Sequence, residues 1–471
     1  MCKIIIINNG VKTEYETFER QNLLGFLRTC GYHVPAVCGG NGTCGKCRVK
    51  VNGEYRLACD TPMIDGMVVE LADDMTAEIL TDYISTKTAS NKDGLGIAVD
   101  LGTSTVVLVL IDLKSGKSLS TSAFENPQRS FGFDVLSRIA AAESGSLSML
   151  QRLICDKIFA EIKAISGGKE IEEIVVSGNT TMIHLLLGQP CGSLGVYPFS
   201  VEYKLFNPYD SSLFGCPMKI IPWISAFVGG DIVSGLIETD HNETFILADI
   251  GTNGELVLHH NGKYFCTSAA AGPAFEGGNI KNGMAGVSGA VCAVDCDFNV
   301  TVIGGVPAVG ICGSGVLDTV SVLIEKQMID ENGTLSDEYF EDGVKLCENI
   351  AFTSRDIREV QLAKSAIRSG IEILIKEAGI TCTEIDKVYL AGGFGTKMNV
   401  ENAVKIGLFP RELKSKIVTV GNSSLSGAVQ MLLADKTEKA DEIIQNSKEI
   451  NLSAHADFND YFMEYMGFEN D

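Results

Sequence analysis

Two rhythms of apolar and polar residues run along the chain. In the N-terminal stretch the apolar runs are short and closed by turn residues. KIIIINNGVKTEYETF predicts a strand, a turn and a second strand, RQNLLGFLRTCG a short amphipathic helix, and MVVEL near residue 70 a closing strand. Between them RVKVNGEYRLAC alternates Arg48, Val49, Lys50 and Val51 and turns at Asn52-Gly53, a tight-hairpin signal. A polar segment rich in threonine and serine, residues 76–94, reads as a tether. Longer apolar strands begin after it.

The second rhythm repeats. IAVDLGTSTVVLVL (97–110) and ILADIGTNGELVLH (246–259) lie on each other without a gap as apolar strand, aspartate, Gly-Thr turn and apolar strand, so the chain contains a duplicated fold. In each copy a buried strand would deliver an aspartate, Asp100 or Asp249, to its tip. The small residues that follow, Gly102, Thr103, Ser104 and Thr105 in one copy and Gly251, Thr252 and Asn253 in the other, would admit a phosphate or a hydrated metal ion to the backbone. One copy alone could be an ordinary hairpin turn; two at a fixed offset are far more specific. Downstream, VYLAGGFG (388–395) ends a strand in Gly392 and Gly393, followed by Phe394. Bare backbone there would let an adenine or ribose ring lie where any Cβ would collide.

At the front of the chain the candidate chemistry is carried by cysteines. GNGTCGKC (40–47) has the Gly-x-x-x-x-Gly-Lys spacing of a nucleotide-gripping loop, but Cys47 stands where Ser or Thr should reach magnesium, and the segment runs into a hairpin instead of a helix. That reading fails, and Lys46 is expected to be a surface charge. Cys38, Cys44, Cys47 and Cys59 instead form C-x5-C-x2-C-x11-C, with glycines at 39, 40, 42 and 45 that let a loop wrap closely around a buried anionic cluster. A structural zinc site also suits four thiolates, although zinc ribbons usually pair two short C-x2-C knuckles. With three ligands on one loop and the fourth arriving alone, the arrangement resembles the 2Fe-2S ferredoxins of the vertebrate and bacterial type. The resemblance implies a small β-grasp, ferredoxin-like domain over residues 1–75.

In the order found, the three later segments match the phosphate-1, phosphate-2 and adenosine motifs of the acetate kinase, sugar kinase, Hsp70 and actin superfamily. That resemblance implies an α/β multidomain chain whose second part is a two-lobed actin-like ATPase of duplicated ribonuclease H-like units, lobe I over 95–243 and lobe II over 244–471. Each lobe would carry a mixed five-stranded sheet, and the two would close on ATP and Mg2+ with Asp100 facing Asp249. SGNTTMIHLLLG (177–188) and GICGSGVLDTV (310–320), which contains Gly313 and Ser314, resemble the connecting segments, or are tight helix caps. FVGGDIVSGL places Asp231 where sugar kinases keep a catalytic aspartate that activates a hydroxyl; here it would orient water, or be an ordinary acid at a helix start. RDIREVQLAKSAIRSGIEIL (355–374) resembles the helix bordering adenine, with Arg358, Gln361, Lys364 and Arg368 on its polar side, or presents an exposed solvated face.

A 2Fe-2S domain followed by an actin-like ATPase, with AAGPAFEGGNI (270–280), REVQLAKSAI and YLAGGFG, resembles the ATP-dependent reductive activators of corrinoid enzymes, through to INLSAHADFNDYFMEYMGF at the end. The family implies one low-potential electron passed from the cluster to inactive Co(II) in the corrinoid protein of a methyltransferase system, regenerating Co(I). Plant-type 2Fe-2S centres sit near about −400 mV. A one-electron equilibrium shifts tenfold for each ~59 mV, so a gap of a few hundred millivolts needs a drive, which ATP supplies. The family also implies an electron donor protein and a homodimer through the ATPase part. Some relatives carry an additional domain between cluster and ATPase, whereas here only residues 76–94 intervene. The glycine-rich loop GGNIKNGMAGVSGAV (277–291) is a candidate for partner contact.

Two other functional classes fit part of the pattern. A small-molecule kinase with a regulatory iron-sulfur module would use the same phosphate motifs, and an electron carrier could use the actin-like part as a nucleotide-gated docking module. Activators of 2-hydroxyacyl-CoA dehydratases share the ATPase fold but hold a 4Fe-4S cluster between two subunits, which four clustered ligands in a separate domain argue against.

Composition narrows the partners. With 471 residues the chain is long for one core. A formal net charge of −22, from 60 acidic and 38 basic residues, repels polyphosphate backbones, so no nucleic-acid partner is expected. The isoleucine run of MCKIIIINNG is too short for a signal-peptide core and no apolar run reaches membrane-spanning length, so a cytoplasmic location without membrane contact is expected. Fifteen cysteines are then reduced thiols or metal ligands, and the scattered Cys155, Cys216, Cys292 and Cys347 are expected to be small buried hydrophobes.

Overall fold

The computed structural model describes residues 2–8, 11–17, 22–30, 32, 34, 47–71, 90, 92–132, 134–201 and 213–468. Cys38, Cys44, Lys46 and, within the expected tether, residues 76–89 and 91 lie outside them.

In the N-terminal part, β1 (Cys2–Asn8) and β2 (Val11–Thr17) form an antiparallel pair, α1 (Leu23–Thr29) follows, and β3 (Arg48–Val51) and β4 (Glu54–Leu57) form a second hairpin. β5 (Met67–Glu70) runs parallel to β1 and completes a sheet of order β2-β1-β5-β3-β4. The β3–β4 turn has Asn52 at φ 50° and Gly53 at φ 90°, the left-handed pair that a two-residue turn needs to match strand twist. Alternation along the strands sends Ile4, Ile6, Val49, Val51 and Val69 inward, where they pack against Leu23 and Leu27 of α1.

Lobe I opens with β6 (Leu95–Leu101), β7 (Thr105–Asp112) and β8 (Lys117–Glu125), followed by α2 (Val135–Ala141) and α3 (Leu147–Ser166). Then come β9 (Glu173–Gly178), α4 (Thr180–Leu187), β10 (Met218–Ile220) and α5 (Gly230–Ile237). The sheet order is β10-β9-β6-β7-β8, parallel on one side of β6 and antiparallel on the other.

Lobe II repeats this plan with β11 (Phe245–Ile250), β12 (Gly254–His260) and β13 (Lys263–Ala269). An inserted small sheet, β14 (Ala290–Val294), β15 (Val300–Val302) and β16 (Gly310–Ile311), precedes α6 (Gly313–Glu325) and the pair β17 (Val344–Cys347) and β18 (Ile350–Phe352). The long α7 (Ser354–Ala378) starts from a capping box between Thr353 and Asp356. The chain continues through β19 (Lys387–Ala391), α8 (Gly392–Lys397), α9 (Val400–Lys405), β20 (Ile417–Gly421), α10 (Ser423–Ala434), α11 (Thr437–Gln445), β21 (Ser447–Glu449) and α12 (Phe458–Glu464). The sheet order β20-β19-β11-β12-β13-β21 matches lobe I strand for strand, but β21 adds a sixth strand beyond the expected five by pairing parallel to β13.

The two sheets share one core. Although α10 follows a lobe II strand, it packs on α5, β6 and β9 of lobe I. Ala98, Val107, Val175, Ile232, Leu236, Leu247, Val257, Leu425, Val429 and Leu432 form a single buried cluster drawn from both lobes. Each valine, leucine and isoleucine among them stabilises the fold by about 1.5–3 kcal/mol, which ties the lobes together. Small residues let α5 and α10 touch backbone to backbone. A Cβ on Gly427 would stand 1.9 Å from the Ser234 carbonyl oxygen, and one on Gly235 would stand 2.9 Å from Ser423 Oγ.

Candidate functional site

Strand register places the two motif aspartates equivalently. Asp100 pairs with Val107 on β7 and Ser177 on β9, whereas Asp249 pairs with Glu255 on β12 and Ala391 on β19. The turns differ by one residue: Gly102 N donates to Thr105 O at 3.0 Å, Gly251 N to Asn253 O at 2.8 Å. The gap-free sequence overlay therefore slips after the turn, laying Glu255 over Val106 when its place in the sheet is that of Val107.

The lobe I turn is held from inside. Asn126 Nδ2 donates to Gly102 O at 2.8 Å, Arg138 Nη2 to Thr103 O at 2.5 Å and Asn126 N to Ser104 O at 2.9 Å. In a trans peptide the N–H points opposite the preceding C=O, so the N–H groups of Thr103 and Ser104 face away from the lobe body. Neither finds an acceptor among the described residues. Asn179, the N-cap of α4, also donates from Nδ2 to Thr103 Oγ1 at 2.9 Å. Consecutive outward N–H groups make an anion-binding concavity, so this turn fits a phosphate.

Carboxylates from both lobes crowd the same region. Asp100 is fixed by α10: Asn422 Nδ2 donates to Oδ2 at 2.8 Å and Ser424 Oγ to Oδ1 at 2.6 Å. Asp231 stands in the first turn of α5, its Oδ1 accepting from Ile232 N at 2.9 Å. Withdrawal from water raises Asp231 to about 7, with the charges of Asp249 and Asp100 adding. Asp249 is raised to about 6 by withdrawal, then by Asp100 and Glu276. Glu255 is raised to about 8 by withdrawal, then by Asp231 and Asp249, against a hydrogen bond from Ser268 Oγ at 3.2 Å. Asp100 is raised by withdrawal against its two donors, and Glu276 by withdrawal against Thr252, whose Oγ1 donates to Oε2 at 2.5 Å. Such oxygen donors suit a hard divalent cation, whose charge would relieve their mutual repulsion. Asp100, Asp231 and Asp249 thus lie within reach of one another's charge, with Glu255 and Glu276 beside them, without three of them converging on one point.

The adenosine motif meets this group from lobe II. Gly392 has φ +84°, and a Cβ on it would stand 2.4 Å from Asp249 Oδ1. Beside Gly393 nothing lies within 4 Å of where a Cβ would sit, which leaves room against bare backbone. Phe394 stacks on Phe275 with ring centroids 4.8 Å apart. Gly313 closes over both, since a Cβ there would come within 1.8 Å of Phe275 O and 3.1 Å of the Phe394 ring. Ser314 turns inward, its Oγ donating to Cys292 O at 2.7 Å.

Gln361 and Lys364 have partners that their polar periodicity does not announce. Both are buried under the C-terminal segment. Gln361 Nε2 donates to Met466 O at 2.8 Å and Asn332 O at 2.9 Å, and Lys364 Nζ to Tyr465 O at 2.6 Å and to Gly467 O. Carbonyl groups of Asn332 and of residues 465–467 cover these two side chains, while Arg358 on the same helix is exposed.

In the N-terminal domain the β3–β4 hairpin brings Cys47 and Cys59 together. Ala58 N donates to Cys47 O at 2.7 Å, and the two Sγ atoms lie 3.2 Å apart, both buried. That separation exceeds the ~2.05 Å of a disulfide, so the two sulfurs converge without a covalent bond between them, as soft ligands of one metal centre do. Cys38 and Cys44, which complete the expected set, lie outside the described residues. Among the described residues no group of three or more candidate ligands is present, and no helix is long and apolar enough to cross a membrane.

Several site residues were not anticipated. Asn126, Arg138, Asn422 and Ser424 carry no motif of their own, and only the fold shows what they touch. Glu276 lies inside AAGPAFEGGNI, and Glu255 sits two residues beyond Asn253, where its acidity in an apolar strand was an available signal.

Three family descriptions match the chain. They are a 2Fe-2S iron-sulfur cluster binding domain over residues 6–73, the RACo middle region over 95–244, and the C-terminal domain of RACo, the ASKHA domain, over 243–471. A solved structure described as a reductive activator for corrinoid, iron-sulfur protein is 26% identical, with a TM-score of 0.68 over 99% of this chain and 98% of that one. The corrinoid activation enzyme RamQ of Eubacterium limosum is 33% identical over 387 residues, 73% of this chain but 65% of that protein, so the match spans slightly less than two thirds of the relative's length. The Co(II) methylated amine-specific corrinoid protein reductase of Methanosarcina barkeri is 27% identical over 425 residues, 78% of this chain and 76% of its own. With a 2Fe-2S domain in front and both RACo regions following in order from residue 95 onward, the chain belongs to the RACo family.

Proposed function

We propose that this protein reductively activates a corrinoid protein of a methyltransferase system, delivering one electron to cobalt in its inactive Co(II) form to regenerate Co(I), with ATP hydrolysis as the drive. The observation that carries this reading is the pairing, in one chain, of the converging Cys47 and Cys59 thiols with a two-lobed carboxylate cleft. The relatives' names support the same reading over a kinase with a regulatory iron-sulfur module.

A 2Fe-2S cluster, when bound, supplies a one-electron carrier of low potential. Cys38, Cys44, Cys47 and Cys59 would hold it, and the burial of Cys47 and Cys59 keeps water from that side. In the cleft, Asp100 and Asp249 would hold Mg2+, and the N–H groups of Thr103 and Ser104 would take phosphate oxygens, with Thr105 flanking them. Gly251, Thr252 and Asn253 form the second phosphate turn. Gly392 and Gly393 would give adenosine a bare surface, bordered by Gly313 and Phe394. Asp231 would orient the attacking water and accept its proton at the carboxylate. An electron donor protein, a homodimer through the ATPase part and partner contact at 277–291 belong to the same reading.

The test is anaerobic. Pre-reduced protein, Mg-ATP and a Co(II) corrinoid protein are mixed, and the Co(I) absorption band is followed. The band should appear only with ATP present. Its absence with native corrinoid partners, despite an intact cluster, would refute the proposal.

A further inference from the structure

Arg138, in α2, is fully buried. Besides its bond to Thr103 O, it donates from Nε to Gly132 O at 2.9 Å, and its Nη1 lies 3.5 Å from Gln128 Oε1 and 3.0 Å from Met182 Sδ. It makes no ion pair with a carboxylate among the described residues. Asp134, the acid whose charge reaches it, is engaged in capping α2 through Ser137 N at 2.8 Å and Ser137 Oγ at 2.9 Å. Burial pushes Arg138 down to about 9, which still leaves it charged at neutral pH.

A buried, unpaired charge is costly unless another charge arrives to compensate it. Holding a carbonyl does not require a cation, because Asn126 secures Gly102 O and Ser104 O with neutral groups. The duplication supplies an internal comparison. The lobe I turn is backed by a guanidinium, while in the lobe II turn Thr252 donates to Glu276. Two turns of common plan thus have different groups behind them, a guanidinium in lobe I and in lobe II a carboxyl group that burial disfavours as an anion and that Arg129's charge also reaches.

We propose that Arg138 is a positioning residue for the nucleotide's phosphate chain. By drawing the Thr103 carbonyl into the lobe it aims the Ser104 N–H outward, and its uncompensated charge draws the phosphates to the lobe I turn, leaving the cation to the carboxylates. This rests on the nucleotide reading given above.

The test uses the full-length protein and calorimetric titration with Mg-ATP, Mg-ADP and adenosine. Gln128→Glu places a carboxylate beside the guanidinium, at the loss of the Gln128 Nε2 bond to Leu150 O, and Gln128→Met loses the same bond without adding charge. Q128E should bind Mg-ATP about tenfold more weakly, the size of one partly screened charge interaction, with adenosine affinity unchanged. Q128M should bind Mg-ATP like the wild type. Arg138→Lys should retain more of the ATP-over-adenosine preference than Arg138→Met. Equal Mg-ATP binding by Q128E and Q128M overturns the proposal, as does a parallel loss of ATP and adenosine affinity in R138M. A wild-type protein that binds adenosine but gains nothing from phosphates overturns it as well, whereas one that binds none of the three ligands overturns the nucleotide reading with it.

Discussion

Asn422 donates a hydrogen bond to Asp100 across 322 residues of chain, at 2.8 Å, and so fixes the first motif aspartate from an element that follows a lobe II strand. Ser424 takes the other oxygen and is itself 2.9 Å from Ser177 Oγ. Ser424→Ala should lower stability by about 1.5–3 kcal/mol, the range for a hydrogen bond to a charged group. Loss of a group that orients a metal ligand typically weakens metal affinity about 10–100-fold. Urea unfolding and Mg-ATP titration check the two effects separately, and an unaltered affinity would show that Asp100 needs no such anchor.

Cys59→Ser should abolish the cluster while leaving nucleotide binding intact, because the thiol pair and the cleft are built from different sheets. Iron and sulfide content with the visible spectrum report on the first, ATP titration on the second. Full iron content in the variant would remove Cys59 from the ligand set.

Gly392→Ala adds a Cβ that would stand 2.4 Å from Asp249 Oδ1, at φ +84°. Left-handed strain costs about 1–3 kcal/mol, and displacing Asp249 should weaken Mg-ATP binding by at least about tenfold, since a misplaced ligand loses most of its contact. Gly393→Ala, which meets no atom within 4 Å in the free protein, should fold normally and lose affinity only for the nucleotide. A wild-type-like G392A would refute the contact between the two motifs.

Stability of the metal-free protein should vary with pH through the same acids. Asp249, Asp231 and Glu255 are raised to about 6, 7 and 8 from ordinary carboxylate values near 4. Each binds its proton more tightly folded than unfolded, so its contribution is fully present below about pH 4 and is lost as pH rises through its folded value. Glu255→Gln should therefore be more stable than wild type at pH 8.5, by about 1–3 kcal/mol, the scale of an unsatisfied buried group, and little different at pH 5. Denaturant unfolding at the two pH values decides it; a variant less stable at pH 8.5 would contradict the crowding of these carboxylates.

The parts legible in the sequence were those with a local physical signature. Asp100 and Asp249 sit in a repeated strand–turn–strand pattern, and the Asn52-Gly53 hairpin that aligns Cys47 with Cys59 follows from backbone preference alone. Glu255 stood out as an acid in an apolar strand, but its place opposite Asp249 was hidden because one residue fewer in the lobe II turn shifts the register, which no overlay of letters reveals. Asn422 and Ser424 were illegible because their function depends on α10 crossing to lobe I. The partners of Gln361 and Lys364 were illegible for the complementary reason: helical periodicity gives a polar face but not its cover, and here carbonyl groups of residues 465–467 provide it.

The glycine-lined contact between α5 and α10 has a mechanical consequence. One helix carries Asp231 in its first turn, and the other begins with the Asn422 and Ser424 clamp on Asp100. With Ser234 against Gly427 and Gly235 against Ser423 there is no side-chain padding to compress, so the pair can slide or roll but cannot part cheaply. The pair would act as an axle between the sheets: a turn of it would carry Asp231 and the Asn422 and Ser424 grip on Asp100 along together, so that on the nucleotide reading proposed above both would answer to the relative motion of the lobes.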